Sequence, residues 1–401
     1  MGGFGGGLAV GLAIGGTPAA AGGSADGSSS APWQAEGSDA GELLAALAAL
    51  DASDGDYAYG VVTGKWQGLL LRQSGVWRSP ALHAVTLSES SIDLGGTAWV
   101  TLEITNSLDE PLPVRVDVDA GDIVVDESGL LLDGDSTTDL RIYRTATSSG
   151  TGTIILSDGP VSTIEVAVSL DALNWAEHAA AAGASHSYAF ASGVETEDGI
   201  GALDITTGSL GSYGAAAIAG ADGTLVHSGG VGVSPLVANA TWHRFTDHTV
   251  VMAVTIDTLT TNRALFMGPG PTGTASSLAS LRVDATHLQA ETPVFASSGA
   301  LADCLTRATG LHLLAVRTAR TDASSQCVEH FYARDNASAA AQLTVSKAVS
   351  GTNGSWWFGG DGSAYNGNAA TYHFFHVYDR ALTPRELDAY ATLLGVLTRP
   401  S

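Results

Sequence analysis

The chain has 401 residues, of which 45% are hydrophobic and 14% are charged, so it is long enough for several domains with their own cores. Its 41 Asp and Glu residues outnumber its 17 Lys and Arg residues, which gives a formal net charge of −24. The lysines are Lys65 and Lys347 alone, so no basic patch can neutralise a phosphate backbone, and the composition argues against nucleic-acid binding. The 50 glycines favour short strands joined by turns, and mostly β structure is expected.

The first sixteen residues, MGGFGGGLAVGLAIGG, combine glycine with a few apolar side chains. A secretion signal needs a basic start, and the first basic residue is Lys65. A membrane span needs about 20 largely apolar residues, far more than the run from Leu8 to Ile14 supplies, so no membrane insertion is expected. Ordering so many glycines costs more backbone entropy than this small surface returns, so the strip would become ordered only against a partner.

Two interpretations of residues 1–24 stay open, a disordered tail and a docking peptide that adds to a sheet edge or a groove of another subunit. The side chains that would dock are Phe4, Leu8, Val10, Leu12 and Ile14.

Residues 25–83 are interpreted as a linker, a short helix and an aromatic segment. The Ala, Gly, Ser and Pro composition up to Ser38 is typical of a flexible linker. Asp39 can cap a helix with Glu42 three residues later. Such a short helix is marginal alone, so its apolar stripe must either self-associate or pack on the following segment. The aromatic residues of that segment indicate short strands or an irregular platform. The stripe consists of Leu43, Leu44, Leu47 and Leu50.

From residue 84 to residue 170, apolar residues recur at every second position, which predicts β-strands. In TAWVTLEIT the residues on one face are Ala98, Val100, Leu102 and Ile104. About seven strands in roughly 88 residues resemble an immunoglobulin-like domain of the bacterial and viral surface type, which implies a β-sandwich and no activity. The Ala-rich residues 171–183 are interpreted as a linker to the largest unit, residues 184–401.

The most specific stretch of that last unit is YHFFHVYDRALTPRELDAY, residues 372–390. It predicts a strand and then a helix, because Thr383 can cap a helix with Pro384 at its first position and Glu386 three residues after the cap. Leu382 and Leu387 are spaced for a hydrophobic staple.

This stretch resembles the closing strand and helix of the laminin-G or concanavalin-A-like lectin family, whose domains end in (V/I)Y(N/D)RAL(T/S) and a short helix carrying E(L/I). The matching residues are Val377, Tyr378, Asp379, Arg380, Ala381, Leu382, Thr383, Glu386 and Leu387. The resemblance implies a jelly roll over residues 184–401. The fold class expected for the chain is therefore all-β, an immunoglobulin-like β-sandwich followed by a concanavalin-A-like jelly roll.

The sequence lacks the motifs that would indicate an enzyme. Jelly-roll glycanases of this type place paired glutamates on one strand as E-x-D-x-x-E, and no such arrangement occurs. The nearest pair, Glu195 and Glu197, lies in a turn-like stretch that predicts a solvated loop. There is no nucleophile elbow, phosphate loop or His pair at metal-ligand spacing, and His243 and His248 are five residues apart. A non-enzymatic protein is expected.

A glycan-binding site is the alternative to catalysis in this unit, because sugars stack on aromatic rings and bind Asp and Asn in loops. The segment WWFGGDGSAYNGN offers such groups, although a packed strand with an ordinary turn is the favoured alternative. The candidate glycan-binding residues are Trp357, Asp361, Tyr365, Asn366 and Asn368. Some family members hold calcium through loop Asp and Asn side chains, and Asp361 and Asn366 are the candidates here; no other cofactor is expected.

The two cysteines, Cys304 and Cys327, are too few for a disulfide framework and lack metal-ligand spacing. They are expected either to pair across neighbouring strands or to remain buried thiols.

The order of parts, a glycine-rich terminus, a spacer and a lectin-like end, resembles virion proteins of tailed bacteriophages. This resemblance implies a homo-oligomeric tail fibre or receptor-binding protein that is assembled in the host cytoplasm, binds other virion proteins through its N terminus and presents its C-terminal domain to host-surface glycans. A head fibre or capsid decoration protein fits nearly as well, with tail favoured over head. An exported cell-surface adhesin and a degenerate glycan-active enzyme are the contrasting classes.

Overall fold

A computed structural model of the protein is mostly β, as predicted. Short apolar runs form the strands, and turns separate them. The described residues are 27–201, 204–205, 211–229, 239–240, 247–258, 263–270, 279–283, 287–291, 302–306, 309–320, 325–334, 337–346, 354–358 and 366–397. Contacts divide the chain into two compact units, one formed by Met1–Val85 with Ser157–Ile164 and the other by Thr86–Leu156 with Glu165–Ser401.

The first unit is a small α/β layer. Its four-stranded sheet has the order β1-β2-β3-β4, and β1 runs parallel to β2 because helix α1 forms the crossover between them. The elements are β1 (Trp33–Gly37), α1 (Ala40–Ala48), β2 (Tyr57–Val62), β3 (Trp66–Gln73), β4 (Val76–Arg78) and α2 (Pro80–His83). The segment expected to be a flexible linker up to Ser38 therefore contains a strand, since its Trp33 and Ala35 pack against a core that the composition did not reveal.

The predicted cap of α1 is confirmed, because the Asp39 side chain accepts a hydrogen bond from the Glu42 N–H. The helix packs on its own sheet rather than on another helix, with Leu43 and Leu47 buried against Leu70. Leu44 departs from the predicted stripe and is 49% exposed. It lies one residue beyond Leu43, about 100° around the helix, and so points away from the sheet.

The second unit begins with a β-sandwich of nine strands. Its two sheets have the orders β5-β7-β11-β9 and β10-β8-β12-β13-β6. The strands are β5 (Val85–Leu87), β6 (Ser91–Asp93), β7 (Trp99–Asn106), β8 (Leu112–Gly121), β9 (Ile123–Val125), β10 (Gly129–Leu132), β11 (Ser136–Arg144), β12 (Gly150–Ser157) and β13 (Thr163–Leu170). The period-two pattern is confirmed for Ala98, Leu102 and Ile104, which are buried, while Val100 is partly exposed.

The rest of the second unit is a larger two-sheet domain. One sheet has the order β15-β16-β28-β18-β23-β24-β25 with β14 beside β28, and the other has the order β17-β26-β19-β20-β21-β22 with β27 beside β19. The first elements are α3 (Trp175–Ala181), β14 (Ala184–Tyr188), β15 (Gly211–Ala215), β16 (Gly223–His227), β17 (Asn239–Ala240), β18 (His248–Ile256), β19 (Arg263–Gly270), β20 (Ala279–Val283) and β21 (His287–Glu291). The remaining ones are β22 (Ala302–Thr306), β23 (Gly310–Arg320), β24 (Ser325–Arg334), β25 (Ala337–Ser346), β26 (Gly354–Phe358), β27 (Asn366–Gly367), β28 (Ala370–Tyr378) and α4 (Pro384–Leu393).

A buried tyrosine joins the two sheets of this domain. The Tyr372 hydroxyl on β28 donates to the Leu265 carbonyl on β19 at 2.5 Å. The other face of the larger sheet, with Val251, Ala253 and Phe374, packs on α3 and α4 in one core cluster.

Two further expectations differ from the structure. Residues 171–183, predicted to be a linker, contain helix α3, which the Asn174 side chain caps and whose Trp175 is 1% exposed. Cys304 lies on β22 and Cys327 on β24, which belong to different sheets, so they are not on neighbouring hydrogen-bonded strands, and the alternative of two buried thiols stays a prediction.

The two leucines of α1 allow a matched test of the first unit. Leu43→Ala removes a fully buried side chain and should lower the free energy of unfolding by about 2–5 kcal/mol. Leu44→Ala, on the exposed face, should change it by less than about 0.5 kcal/mol. Chemical denaturation followed by tryptophan fluorescence measures both, and equal losses would contradict the described packing of α1.

Candidate functional site

The N-terminal docking residues and most of the candidate glycan loop lie outside the described residues. This applies to Phe4, Leu8, Val10, Leu12, Ile14, Asp361 and Tyr365. Of Trp357 and Asn366 the backbone is described: Trp357 pairs with Met267, and Asn366 pairs with Arg263. The strands on both sides of residues 359–365, β26 and β27, therefore contact the same strand, β19. The sheet thus fixes where this segment leaves and re-enters the fold.

Asn368 is a correction to the candidate glycan-binding set. It is 0% exposed, and its amide nitrogen donates to the Thr258 carbonyl at 2.7 Å and to the Ala369 carbonyl at 2.9 Å. Its own carbonyl contacts the His227 ring at 3.1 Å. A buried amide needs such partners, so Asn368 joins strands behind the loop and is not presented to a ligand.

The acidic stretch GVETEDG is a loop, as predicted, with Glu197 exposed and Glu195 partly exposed. The structure adds a buried carboxylate that was not predicted. Asp198 is bonded to the His186 ring at 2.5 Å and accepts N–H groups from Ser187, Ile200 and Gly201. Burial opposes ionisation of this carboxyl, but these four hydrogen bonds outweigh it and lower its pKa to about 2. Asp198 therefore stays ionised and stabilises its own loop through these hydrogen bonds.

The outer face of the sandwich carries a groove of about 820 Å³ along β6, β12 and β13. Its floor consists of small and hydroxyl side chains such as Ala167 and Ser169, and its acids are Glu89, Asp93 and Asp119. None of the residues that line it is aromatic. The groove thus lacks the ring faces on which sugars stack.

The strongest cluster of functional groups lies where the sandwich meets α3, α4 and β28, here called the joint. Trp99 and Tyr143 project from the outer face of the sandwich, and the ring centroids of Trp99 and Tyr390 lie 5.7 Å apart. Trp175 stacks on Tyr390 at 5.0 Å and packs against Phe374 at 4.9 Å. These buried rings belong to one continuous core that spans both domains of the second unit.

A buried ion cluster completes the joint. Glu386 is 0% exposed, receives two hydrogen bonds from Arg380 at 2.8 and 3.0 Å, and forms an ion pair with Arg141 of the sandwich at 3.0 Å. It also accepts the Thr383 N–H at 2.6 Å, which completes the predicted capping box of α4. Burial by itself raises the pKa of the Glu386 carboxyl, but the Arg380 and Thr383 hydrogen bonds outweigh it and leave the pKa below its usual value.

The motif that carried the lectin-family resemblance is therefore structural in this chain. Arg380 and Glu386 hold the end of the domain, and Arg141, which sequence reasoning missed, extends the same cluster to the sandwich. Arg385 adds a second link by donating to the Asp126 carbonyl at 2.5 Å. Trp99 was the sequence feature that could have indicated this contact, because it is a large aromatic residue at one of the outward positions of an alternating strand, where polar residues are expected.

Among the described residues, no group of three or more His, Cys, Asp and Glu side chains could hold a metal ion. Within the same ranges, none of the helices has the length and apolar character to span a bilayer.

No protein-family model matches the sequence, and no curated protein is similar to it. Among solved structures, the CBM40 domain of the Ruminococcus gnavus IT-sialidase, bound to alpha2,3 sialyllactose, is 12% identical over 41% of this chain and 96% of that chain, with a TM-score of 0.29. The leech intramolecular trans-sialidase is 13% identical over 48% of this chain and 29% of that chain, with a TM-score of 0.31. SSP-19, an MSP-domain protein like family member in Caenorhabditis elegans, is 14% identical over 22% and 99%, with a TM-score of 0.20. The strand order described above, and not these likenesses, shows that the chain is mostly β and contains several sheets.

Neutralising the buried glutamate tests the ion cluster. Glu386→Gln leaves Arg380 and Arg141 facing an amide, and we expect a loss of about 2–4 kcal/mol in the unfolding free energy of the second unit. Glu165→Gln, on the exposed face of β13, is the control and should be nearly neutral. Denaturant titration followed by near-ultraviolet circular dichroism measures the loss; equal stability of the two variants would refute a role for the cluster.

Buried histidines predict how stability depends on pH. Burial lowers the pKa of His376 to about 3 and that of His373 to about 4, so both rings are neutral in the folded chain. Since an unfolded histidine binds a proton near pH 6.5, the unfolding free energy should fall as pH drops below 6.5, by up to about 1.4 kcal/mol per pH unit for each ring. Denaturation at pH 7 and pH 5 checks the sign, and a stability that rises toward pH 5 would contradict it.

Proposed function

We propose that this protein is a non-enzymatic display protein of a virus particle, a tail fibre or tail-associated receptor-binding protein that forms homo-oligomers. Residues 1–24 dock into other virion proteins, the sandwich acts as a spacer, and the C-terminal domain binds host-surface glycans through Trp357, Asp361, Tyr365 and Asn366. The observation that supports this most is the joint, because it fixes the orientation of the C-terminal domain on the spacer through a buried ion cluster and an aromatic core.

A rigid spacer suits display for an energetic reason. A binding domain that is already oriented loses less conformational freedom when it attaches to a surface, so more of its contact energy appears as affinity. In an oligomer, the same rigidity sets the spacing of the binding loops, which decides whether several sites can engage one surface together. The acidic excess of the chain supports solubility and leaves recognition to hydrogen bonds and ring stacking.

Glycan-array binding by the full chain tests the proposed recognition surface. Trp357→Ala and Asp361→Ala should each weaken binding at least about tenfold, or about 1.4 kcal/mol, because stacking and a carboxylate contact are removed. Asp139→Ala, at an exposed position of the sandwich, is the matched control and should bind as the unchanged protein does. Undiminished binding by both loop variants would reject this surface, and hydrolysis of a polysaccharide by the chain would reject the non-enzymatic assignment.

Incorporation into particles tests the docking peptide separately. We expect the double variant Leu8→Asp and Leu12→Asp to fold and yet to be missing from purified particles, since charges cannot enter an apolar groove without a partner. Ser24→Asp, just outside the apolar strip, should be incorporated normally. A mature protein cleaved within the TPAAAGG stretch would instead favour the exported adhesin.

A further inference from the structure

The joint contains a histidine whose hydrogen bond fixes its protonation state. His178 on α3 is 0% exposed, and its Nδ1 accepts the backbone N–H of Ala98, in the sandwich, at 3.1 Å. A ring nitrogen that accepts a hydrogen bond carries no proton, so the neutral ring holds its hydrogen on Nε2. Protonation of Nδ1 would place two hydrogens opposite each other and break this bond between the two domains.

Among the described residues, no hydrogen-bond acceptor is available to a doubly protonated His178 ring. The Nε2 atom is buried and has no hydrogen-bond partner among the described residues. The ring lies edge-on to Trp99 at 4.1 Å and to Tyr390 at 5.1 Å, with Trp175 at 6.1 Å. A buried imidazolium without an acceptor would bear the full cost of desolvation.

The charged groups that face His178 add to this cost. From the turn after β28 comes Arg380, and from the sandwich comes Arg144, which is fully buried and donates to carbonyl groups. His376 on β28 is a further titratable neighbour, and its ring is neutral near pH 7. Glu386 on α4 is already held by Arg380 and Arg141, and the neighbouring hydroxyls of Tyr378 and Tyr390 bond each other at 2.6 Å. On α3 itself, Glu177 is exposed and accepts the Gly96 N–H, and with Asp122 and Asp171 it lies near Arg144.

We propose that the joint is an acid-sensitive coupling, in which protonation of His178 breaks its hydrogen bond to Ala98 and weakens the contact between the sandwich and α3. This goes beyond the proposed display function and does not depend on which ligand the loops bind. The consequence would be a C-terminal domain that is rigidly held at neutral pH and gains freedom relative to its spacer in acid.

The sign of the effect follows from the burial of the ring. Burial lowers the pKa of His178 well below 6.5, and the positive charges of Arg380 and Arg144 lower it further. The closed joint therefore binds fewer protons than the open one, so acid favours opening. Between pH 6.5 and the depressed pKa, each pH unit lowers the closed-to-open ratio by up to about tenfold.

Hydrogen exchange of single backbone amides in the full chain tests this coupling. The amide of Ala98 reports the bond to His178, while Ile104 in the sandwich and Ala253 in the C-terminal domain report the two cores. After correction for the intrinsic pH dependence of exchange, the protection of Ala98 should fall at least about tenfold from pH 7 to pH 4.5, with the core amides retaining theirs. His178→Asn, whose side-chain oxygen can accept the same N–H and does not titrate, should remove this fall. His83→Gln, in the first unit, is the control and should leave it unchanged.

Three results would overturn the proposal: constant protection of Ala98 in the unchanged protein, a parallel loss at Ala98, Ile104 and Ala253, or an equal loss in His178→Asn. If His178→Asn does not fold, titration of the His178 ring in the unchanged protein by nuclear magnetic resonance decides the question. The ring should gain its proton over the pH range in which Ala98 loses protection. Loss of that protection while the ring remains neutral would overturn the proposal as well.

Discussion

The buried carboxylate of Glu386 is the constraint on which the second unit depends. A carboxylate that is 0% exposed must be fully paired, and its partners come from three segments: Arg380 after β28, the backbone of Thr383 at the start of α4, and Arg141 on a sandwich strand. Moving the sandwich would take Arg141 away and leave part of that charge uncompensated. Glu386 therefore does more than cap a helix, because it ties the orientation of one domain to that of the other.

The aromatic core around Tyr390 forms a packed interface between the same two domains. Trp99 approaches Tyr390 edge-on, Trp175 stacks on it, and Phe374 closes the side toward the sheet. Such large buried rings stabilise an interface through apolar area, while the ion cluster sets its geometry, because charged pairs specify position more than they add stability. His178 lies inside this core with its bond to Ala98, so this titratable contact across the interface is surrounded by aromatic rings.

Local patterns predicted the elements well and their assembly less well. The capping box at Thr383 and the cap at Asp39 follow from short-range chemistry, and the alternation around Leu102 and Ile104 reports burial directly. Arg141 could not be found this way, because its partner Glu386 is 245 positions away and an arginine on an outward strand position is typical of solvent exposure. Asn368 was misjudged for a related reason: asparagine next to glycine is typical of an exposed turn, and only tertiary packing reveals its amide bonded to Thr258.

The most direct test of the central claim, that the sandwich and the C-terminal domain form one rigid body, is a distance distribution across the joint. Spin labels at Leu131 of the sandwich and Val194 of the C-terminal domain, both exposed, would be measured by double electron–electron resonance at pH 7 in the full chain. A rigid joint predicts one narrow distribution. A broad or multiple distribution at neutral pH would show that the two domains move independently and would contradict the claim.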